Sequence, residues 1–412
     1  MSSGLIPVLV VVGAVLAVIE VAAWSAVLKF RRNFPWLILP RDAKPEIAPE
    51  VIEKYARLSF DSDLGWVRKP GTSGLDASPE GDAAFSIADD GARTNPGFEG
   101  EASCVVVFGD SYAFCRLVDD TETWSHELSR LCQTNTRNFG VGNYGLDQAL
   151  LRYERQAADH EGCTVIMAVV PETITRAHSC WKHFYEYGNT LAFKPMFQAD
   201  GDGLKLIPCA VREASEIAEP SRWSDFVCRH DRFYREKFLP DLIRFPASLS
   251  ILRRWRRHGR ILSELFWGVM TSEPEAARRR AFSIVLDENH LHQRRLFAEP
   301  GAAELLRRLV VRFKEVARRH GATPRLVILP QPRDLADRAS GVDVSREVVH
   351  NLGQVVPVLD LGDVLLQRRE AMEVYKEGAL GPHTSPAANR LIAETVHHWL
   401  ASDGLVRGKE NI

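Results

Sequence analysis

CVVVFGDSYAFC, residues 104–115, opens as an unbroken β-branched and aromatic run and closes on a small polar turn. A strand covered on both faces shows no polar alternation, so Cys104–Phe108 reads as a buried strand of a parallel sheet. Gly109 is expected to let the backbone turn tightly after it. Ser111 then stands where strand gives way to helix, with its hydroxyl at the carboxyl edge of the sheet. Outward from this stretch the pattern repeats. Helix is predicted over Thr123–Cys132, strand over Thr136–Phe139, helix over Tyr144–His160, and a third strand in TVIMAVV, Thr164–Val170. RLVILP (Arg325–Pro330) and VVPVLDL (Val355–Leu361) are the fourth and fifth strands, preceded by helix Pro300–His320 and followed by helix Ser385–Leu400. Strands alternating with helices predict an α/β fold, a parallel sheet between helices, with ligands outside the carboxyl ends of its strands.

The flanks carry other signals. LIPVLVVVGAVLAVIEVAAWSAVL, Leu5–Leu28, is long and apolar enough to span a bilayer as a helix. It exceeds a signal-peptide core, has no basic region before it and no cleavage site after it. Residues 1–33 therefore read as one retained transmembrane anchor. Glu20, the one ionisable residue inside, is expected to face a partner helix or a headgroup. Lys29, Arg31 and Arg32 follow the helix, and the positive-inside rule puts the large domain in the cytoplasm. Residues 34–100 read as a tether and a small β-rich lead-in, which carries DSDLGWVRKPG (Asp61–Gly71) and ARTNPGF (Ala92–Phe98). Residues 101–402 form the α/β domain, interrupted over 171–299 by an inserted helical subdomain; 403–412 are a tail. The basic block SILRRWRRHGRIL, Ser250–Leu262, reads first as a solvated helix face and second as a contact for anionic lipid or glycan. A net charge of -2 gives no nucleic-acid surface. Seven cysteines without a CxxC spacing argue against a zinc ribbon or a dense disulfide framework.

Three segments carry chemistry. In FGDSYAFC the Ser111 amide sits near a helix start, where an N–H can meet a developing oxyanion. NFGVGNYGLDQ, Asn138–Gln148, follows the second strand, and its glycines Gly140, Gly142 and Gly145 leave backbone amides bare. GPHTSPAANRLIAETV, Gly381–Val396, sets His383 in a turn before the last helix, with Ser385 as N-cap and Pro386 as first helical residue. A serine hydroxyl needs an adjacent base, which an imidazole supplies, and a third group normally orients that imidazole. His178 and His183 lie five apart around Cys180 without further ligands at metal spacing, so no metal site is read.

Together with DLGWVRKPG and TNPGF, these segments resemble the SGNH/GDSL hydrolase superfamily, in particular its membrane-anchored bacterial members. The resemblance covers roughly 60–198 and 323–400. It implies a three-layer α/β/α, flavodoxin-like fold and hydrolysis or transfer of ester groups, often acetyl groups on carbohydrate, without metal or cofactor. Residue by residue, it implies Ser111 as nucleophile and His383 as base. The oxyanion donors would be the amides of Ser111 and of the turn at Gly142–Asn143. Three departures stand out. The family's glycine in the second block falls on Asn143. The asparagine after the third strand is replaced in VVPETITR by Glu172 and Thr173, with Thr173 the weaker donor. The aspartate before the histidine is replaced by Leu380 and Gly381. A main-chain carbonyl serves as orienter in some members; Asp360, Asp363 and Glu377 are remoter candidates.

The expected function is a membrane-anchored serine esterase or O-acetyltransferase acting on an envelope or secreted polysaccharide. That analogy favours the periplasmic side of the membrane, against the charge rule. The alternative is a catalytically inactive, membrane-tethered component of a polysaccharide-assembly complex. A nucleotide-binding reading is disfavoured because no glycine-rich phosphate cradle follows the first strand.

Overall fold

The computed structural model describes residues 5–31, 34, 46–378 and 381–407. The expected tether lies mostly outside them. The centre is a five-stranded parallel sheet of β1 (Ser103–Gly109), β2 (Asn135–Asn138), β3 (Thr164–Val169), β4 (Thr323–Ile328) and β5 (Val358–Asp360). Neighbouring strands run 2-1-3-4-5, the doubly wound order whose switch point falls between β1 and β3. Among the helices around the sheet and its flanks are α1 (Leu5–Arg31), α2 (Trp124–Cys132), α3 (Leu146–Gln156), α4 (Ala247–Arg253), α5 (Arg260–Met270), α6 (Pro274–Phe297), α7 (Pro300–Arg319) and α8 (Pro386–Ser402).

Side-chain parity builds three layers. Val106 and Phe108 of β1, Val165, Met167 and Val169 of β3, and Leu326 and Ile328 of β4 share one core with α3 and α7. The alternate residues Val105, Val107, Ile166, Ala168 and Val327 share the other with α2 and α8. Successive strand residues point to opposite faces, so two cores need apolar side chains at every position.

The predicted strands and long helices are present, with ends moved by local chemistry. β5 starts only at Val358, because the Val355 and Val356 amides close the preceding helix, Arg346–Gly353, on Leu352 O at 2.9 and 3.2 Å. α3 begins at Leu146, after an extended Gly145. Gly109 does not mark a tight turn. It lies within β1, where an added Cβ would meet Ala168 O at 1.8 Å. Glycine is required by the closeness of β1 to β3; the left-handed residues of this loop are Cys115 and Leu117, at φ 61° and 66°.

The lead-in holds two antiparallel ribbons, Phe60–Asp61 with Gly65–Trp66 and Ser73–Asp76 with Ala83–Ser86. The stretch between β3 and β4 is largely helical but also contains the ribbon Met196–Asp200 with Gly203–Ile207. Its basic block is not simply a solvated face. Arg257 is 1% exposed and paired with Asp241 and Glu288, and Arg254 also pairs with Asp241. Arg253, Arg256 and Arg260 remain exposed.

α1 is long and apolar enough to cross a bilayer, with mean hydropathy 2.7 and an exposed first half. Val27 and Phe30, near its end, share an apolar cluster with Ile261, Leu265, Ala281 and Ile284 of α5 and α6. Glu20 faces a second helix of this same chain. Its carboxylate accepts from the Ala247 and Ser248 amides and from the Ser248 hydroxyl, at 2.6 Å in the last case, at the start of α4. An ionisable group inside an apolar helix needs polar partners at its own level, and this chain supplies them itself.

Candidate functional site

The turn after β1 is held from several sides. Asp110 caps the short helix Ser111–Phe114 by accepting the Tyr112 amide at 2.8 Å. Its other oxygen accepts the Val170 amide at 2.8 Å and faces Arg176 at 3.4 Å. Burial pushes the Asp110 carboxyl up, against the pull of Arg176. On the other side, Asn138 donates to Ala113 O at 2.7 Å and accepts the Gly140 amide at 2.9 Å. A Cβ on Gly140 would lie 2.4 Å from the Phe114 nitrogen, so the second loop presses directly on the first. The buried guanidinium of Arg93 closes the far end. It donates to Phe114 O, Cys115 O and Val118 O at 2.7, 2.5 and 2.6 Å and pairs with Asp120 at 2.7 Å.

His383 begins a two-residue strand paired with Tyr375–Lys376. Ser385 caps α8 by accepting the Ala388 amide at 3.1 Å, and Pro386 is the first helical residue. The two loops are fastened by Tyr112, whose hydroxyl donates to Pro382 O at 2.8 Å across 270 residues of sequence. Its ring lies 4.8 Å from the imidazole. His383 Nδ1 faces Gly381 O at 3.1 Å. A carbonyl only accepts, so Nδ1 carries the proton and Nε2 of the neutral ring has a free lone pair. Among the described residues none hydrogen-bonds Nε2, Ser111 included. Burial, helped by Arg116, brings the imidazole pKa down to about 3. Asp360 and Asp363 do not orient this ring; both pair with Arg338, and Glu377 is exposed.

Ser111, Gly142, Asn143 and His383 all line one cavity. It also takes in residues that follow β3 and β4, Glu172 and Gln331, so it opens beyond the carboxyl ends of the strands, at the switch point. Asn143 has φ 67°, the left-handed conformation that glycine adopts freely. Gly142 O accepts from the Trp66 indole at 2.9 Å, which ties the lead-in to this loop. Thr173 is not brought to the cavity. Its hydroxyl accepts the Leu146 amide at 2.7 Å and so caps α3.

The rest of the lining is polar and charged. Glu172 pairs with Arg176, and Lys182 with Glu186, each at 2.6 Å. Burial would raise Glu172, yet Arg176 and Lys182 together hold it below its usual range. On the facing wall, Gln293 of α6 donates to Asp334 at 2.9 Å, and His290 meets Asp337 at 2.8 Å. Burial pushes Asp334 up to about 6. Sequence reading did not single out this wall. The signal was present in Leu286, Asn289, His290 and Gln293, which fall at i, i+3, i+4 and i+7 on one helix face. A broader groove beside α7 has arginines committed elsewhere, Arg307 and Arg308 to Glu304 and Arg312 to Glu154.

Chemically, the cavity is lined by a residue with a primary hydroxyl, Ser111, and by a neutral histidine, His383, among side chains that donate and accept hydrogen bonds. In comparisons with known proteins, no family model matches this chain and no curated protein matches it significantly.

Proposed function

We propose that this chain is a membrane-anchored serine esterase or O-acetyltransferase of the SGNH type, acting on acyl groups, foremost acetyl, carried by carbohydrate. The observation that carries the reading is the convergence of Ser111 and His383 in one cavity at the carboxyl edge of β1. The strand order 2-1-3-4-5 suits the flavodoxin-like fold that the resemblance implies. The many hydrogen-bonding side chains of the lining suit a polyhydroxylated substrate, and α1 suits an anchor in the membrane.

In this reading Ser111 Oγ adds to the ester carbonyl while its proton passes to His383 Nε2. The amides of Ser111 and Asn143 receive the oxyanion. The imidazolium returns its proton to the departing alcohol, leaving an acyl-Ser111 intermediate. Water or a sugar hydroxyl then takes the acyl group by the reverse steps. The Gly381 carbonyl, holding Nδ1, serves as orienter.

The test is acetyl release from nitrophenyl acetate and acetylated glycans by the full chain, beside labelling with a fluorophosphonate probe. Ser111→Ala should abolish labelling and lower kcat at least ~10³-fold. Equal turnover in both proteins would refute the assignment.

A second reading is a catalytically inactive SGNH-like binding component of a polysaccharide-assembly complex. It is favoured by a carbonyl where a carboxylate normally orients the base, and by the absence of a Ser111–His383 hydrogen bond. Hydrogen bonds of this kind often tighten only when substrate arrives. The second reading predicts no probe labelling and glycan binding that survives Ser111→Ala.

A further inference from the structure

We propose that the segment 244–256, containing α4, lies against lipid beside α1, so that two contacts hold the domain on the bilayer. The proposal rests on α1 as a membrane span, and its test separates the two. Among the described residues, eight of the twelve exposed large apolar side chains outside α1 lie between positions 245 and 270. Scattered exposed hydrophobes need no explanation, whereas a concentration of them marks an interaction surface.

Glu20 sets the level of this surface. It lies nine residues before Lys29, the first basic residue after the apolar run, which is about 14 Å along a helix. Its carboxylate is bonded to Ala247 and Ser248, so the first turn of α4 shares its depth, below the charged end of α1. At that depth α4 has two faces. Ala247 and Ile251 pack into the cluster shared with α1. Phe245, Leu249, Leu252 and Trp255 point away, 77, 40, 68 and 56% exposed. On α1 itself Val21, next to Glu20, is 66% exposed. The outer face of α4 therefore continues the apolar surface of a helix that lipid would surround. This continuity selects the bilayer as occupant. Arg253 and Arg256 are exposed beside Leu252 and Trp255. Their stems can lie along the apolar surface while the guanidinium groups reach the headgroups. Arg254 and Arg257, held on Asp241, keep the element folded from inside.

The experiment places nitroxide labels on Leu252→Cys and, separately, Val12→Cys, in the full chain with Cys104→Ser and Cys228→Ser. Each protein is reconstituted at one copy per phosphatidylcholine nanodisc. Accessibility to oxygen is compared with accessibility to a water-soluble nickel chelate. The expected result is oxygen-dominated contact at both positions, with Trp255→Cys behaving like Leu252→Cys. Nickel-dominated contact at 252 with oxygen-dominated contact at 12 would overturn the second contact and leave the anchor intact. Nickel-dominated contact at both would overturn the anchor as well. A label at 252 shielded from both reagents would show protein covering the face, and would equally overturn the proposal.

Discussion

His383→Gln removes a buried base whose pKa lies at about 3, against 6.5 for a solvated imidazole. Between those pH values the unfolded chain holds a proton at this position and the folded chain does not. The contribution of His383 to stability is therefore complete above pH 6.5 and is lost progressively as pH falls towards 3. The whole gap corresponds to about 5 kcal/mol, and the part between pH 6.5 and 4.5 to about 3 kcal/mol. Urea unfolding of the detergent-solubilised full chain at pH 7 and pH 4.5 measures it. The native protein should lose about 3 kcal/mol more than His383→Gln over that interval. Other buried histidines, His160, His178 and His258, are common to both proteins and cancel in the comparison. Esterase activity gives a second readout, because the proposed mechanism uses the neutral ring. The kcat/KM of the native protein should stay level from pH 8 to about 5, with no inflection near 6.5. Parallel stability losses in the two proteins, or an activity inflection near 6.5, would show that the ring is solvated and the reasoning wrong.

Gly109→Ala drives a methyl into Ala168 O and should cost about 3 kcal/mol or more, read as a lowered thermal midpoint. Arg93→Met strips donors from three buried carbonyls and a partner from Asp120. A loss of about 3–5 kcal/mol is expected, together with slower probe labelling at Ser111, since the nucleophile turn loses its clasp. Asn143→Gly should stay within about 1 kcal/mol of the native protein and keep labelling, whereas Asn143→Val should lose about 1–2 kcal/mol and label poorly, because a β-branched residue resists φ 67°. An Asn143→Val protein with native stability would remove the argument for a left-handed requirement.

The sheet was legible because its strands are covered twice. Val105–Phe108 and Val165–Val170 leave no polar register to misread, and the caps Ser385 and Pro386 mark α8 locally. What stayed hidden depends on partners distant in sequence. Gly109 is small because of Ala168, and no local rule names a neighbour on another strand. Thr173 stood where a donor was wanted, but the open amide of Leu146 takes its hydroxyl. Glu20 found its donors at Ala247 and Ser248, over two hundred positions away. Half of the cavity was likewise unreadable. Ser111, Asn143 and His383 lie in segments with a recognisable pattern, whereas His290 and Gln293 reach the site only through the path of α6.

α6 joins two regions of the molecule that otherwise have little in common. At 24 residues it measures about 36 Å. Ala281 and Ile284 belong to the cluster that grips α1, while Asn289 and Gln293, further along the same rod, wall the cavity. A helix does not shorten under load, so the distance between the cavity and the end of α1 is fixed. Under the proposed function, choice among substrates would then include a measurement of length, since only linkages carried at that altitude would come level with Ser111.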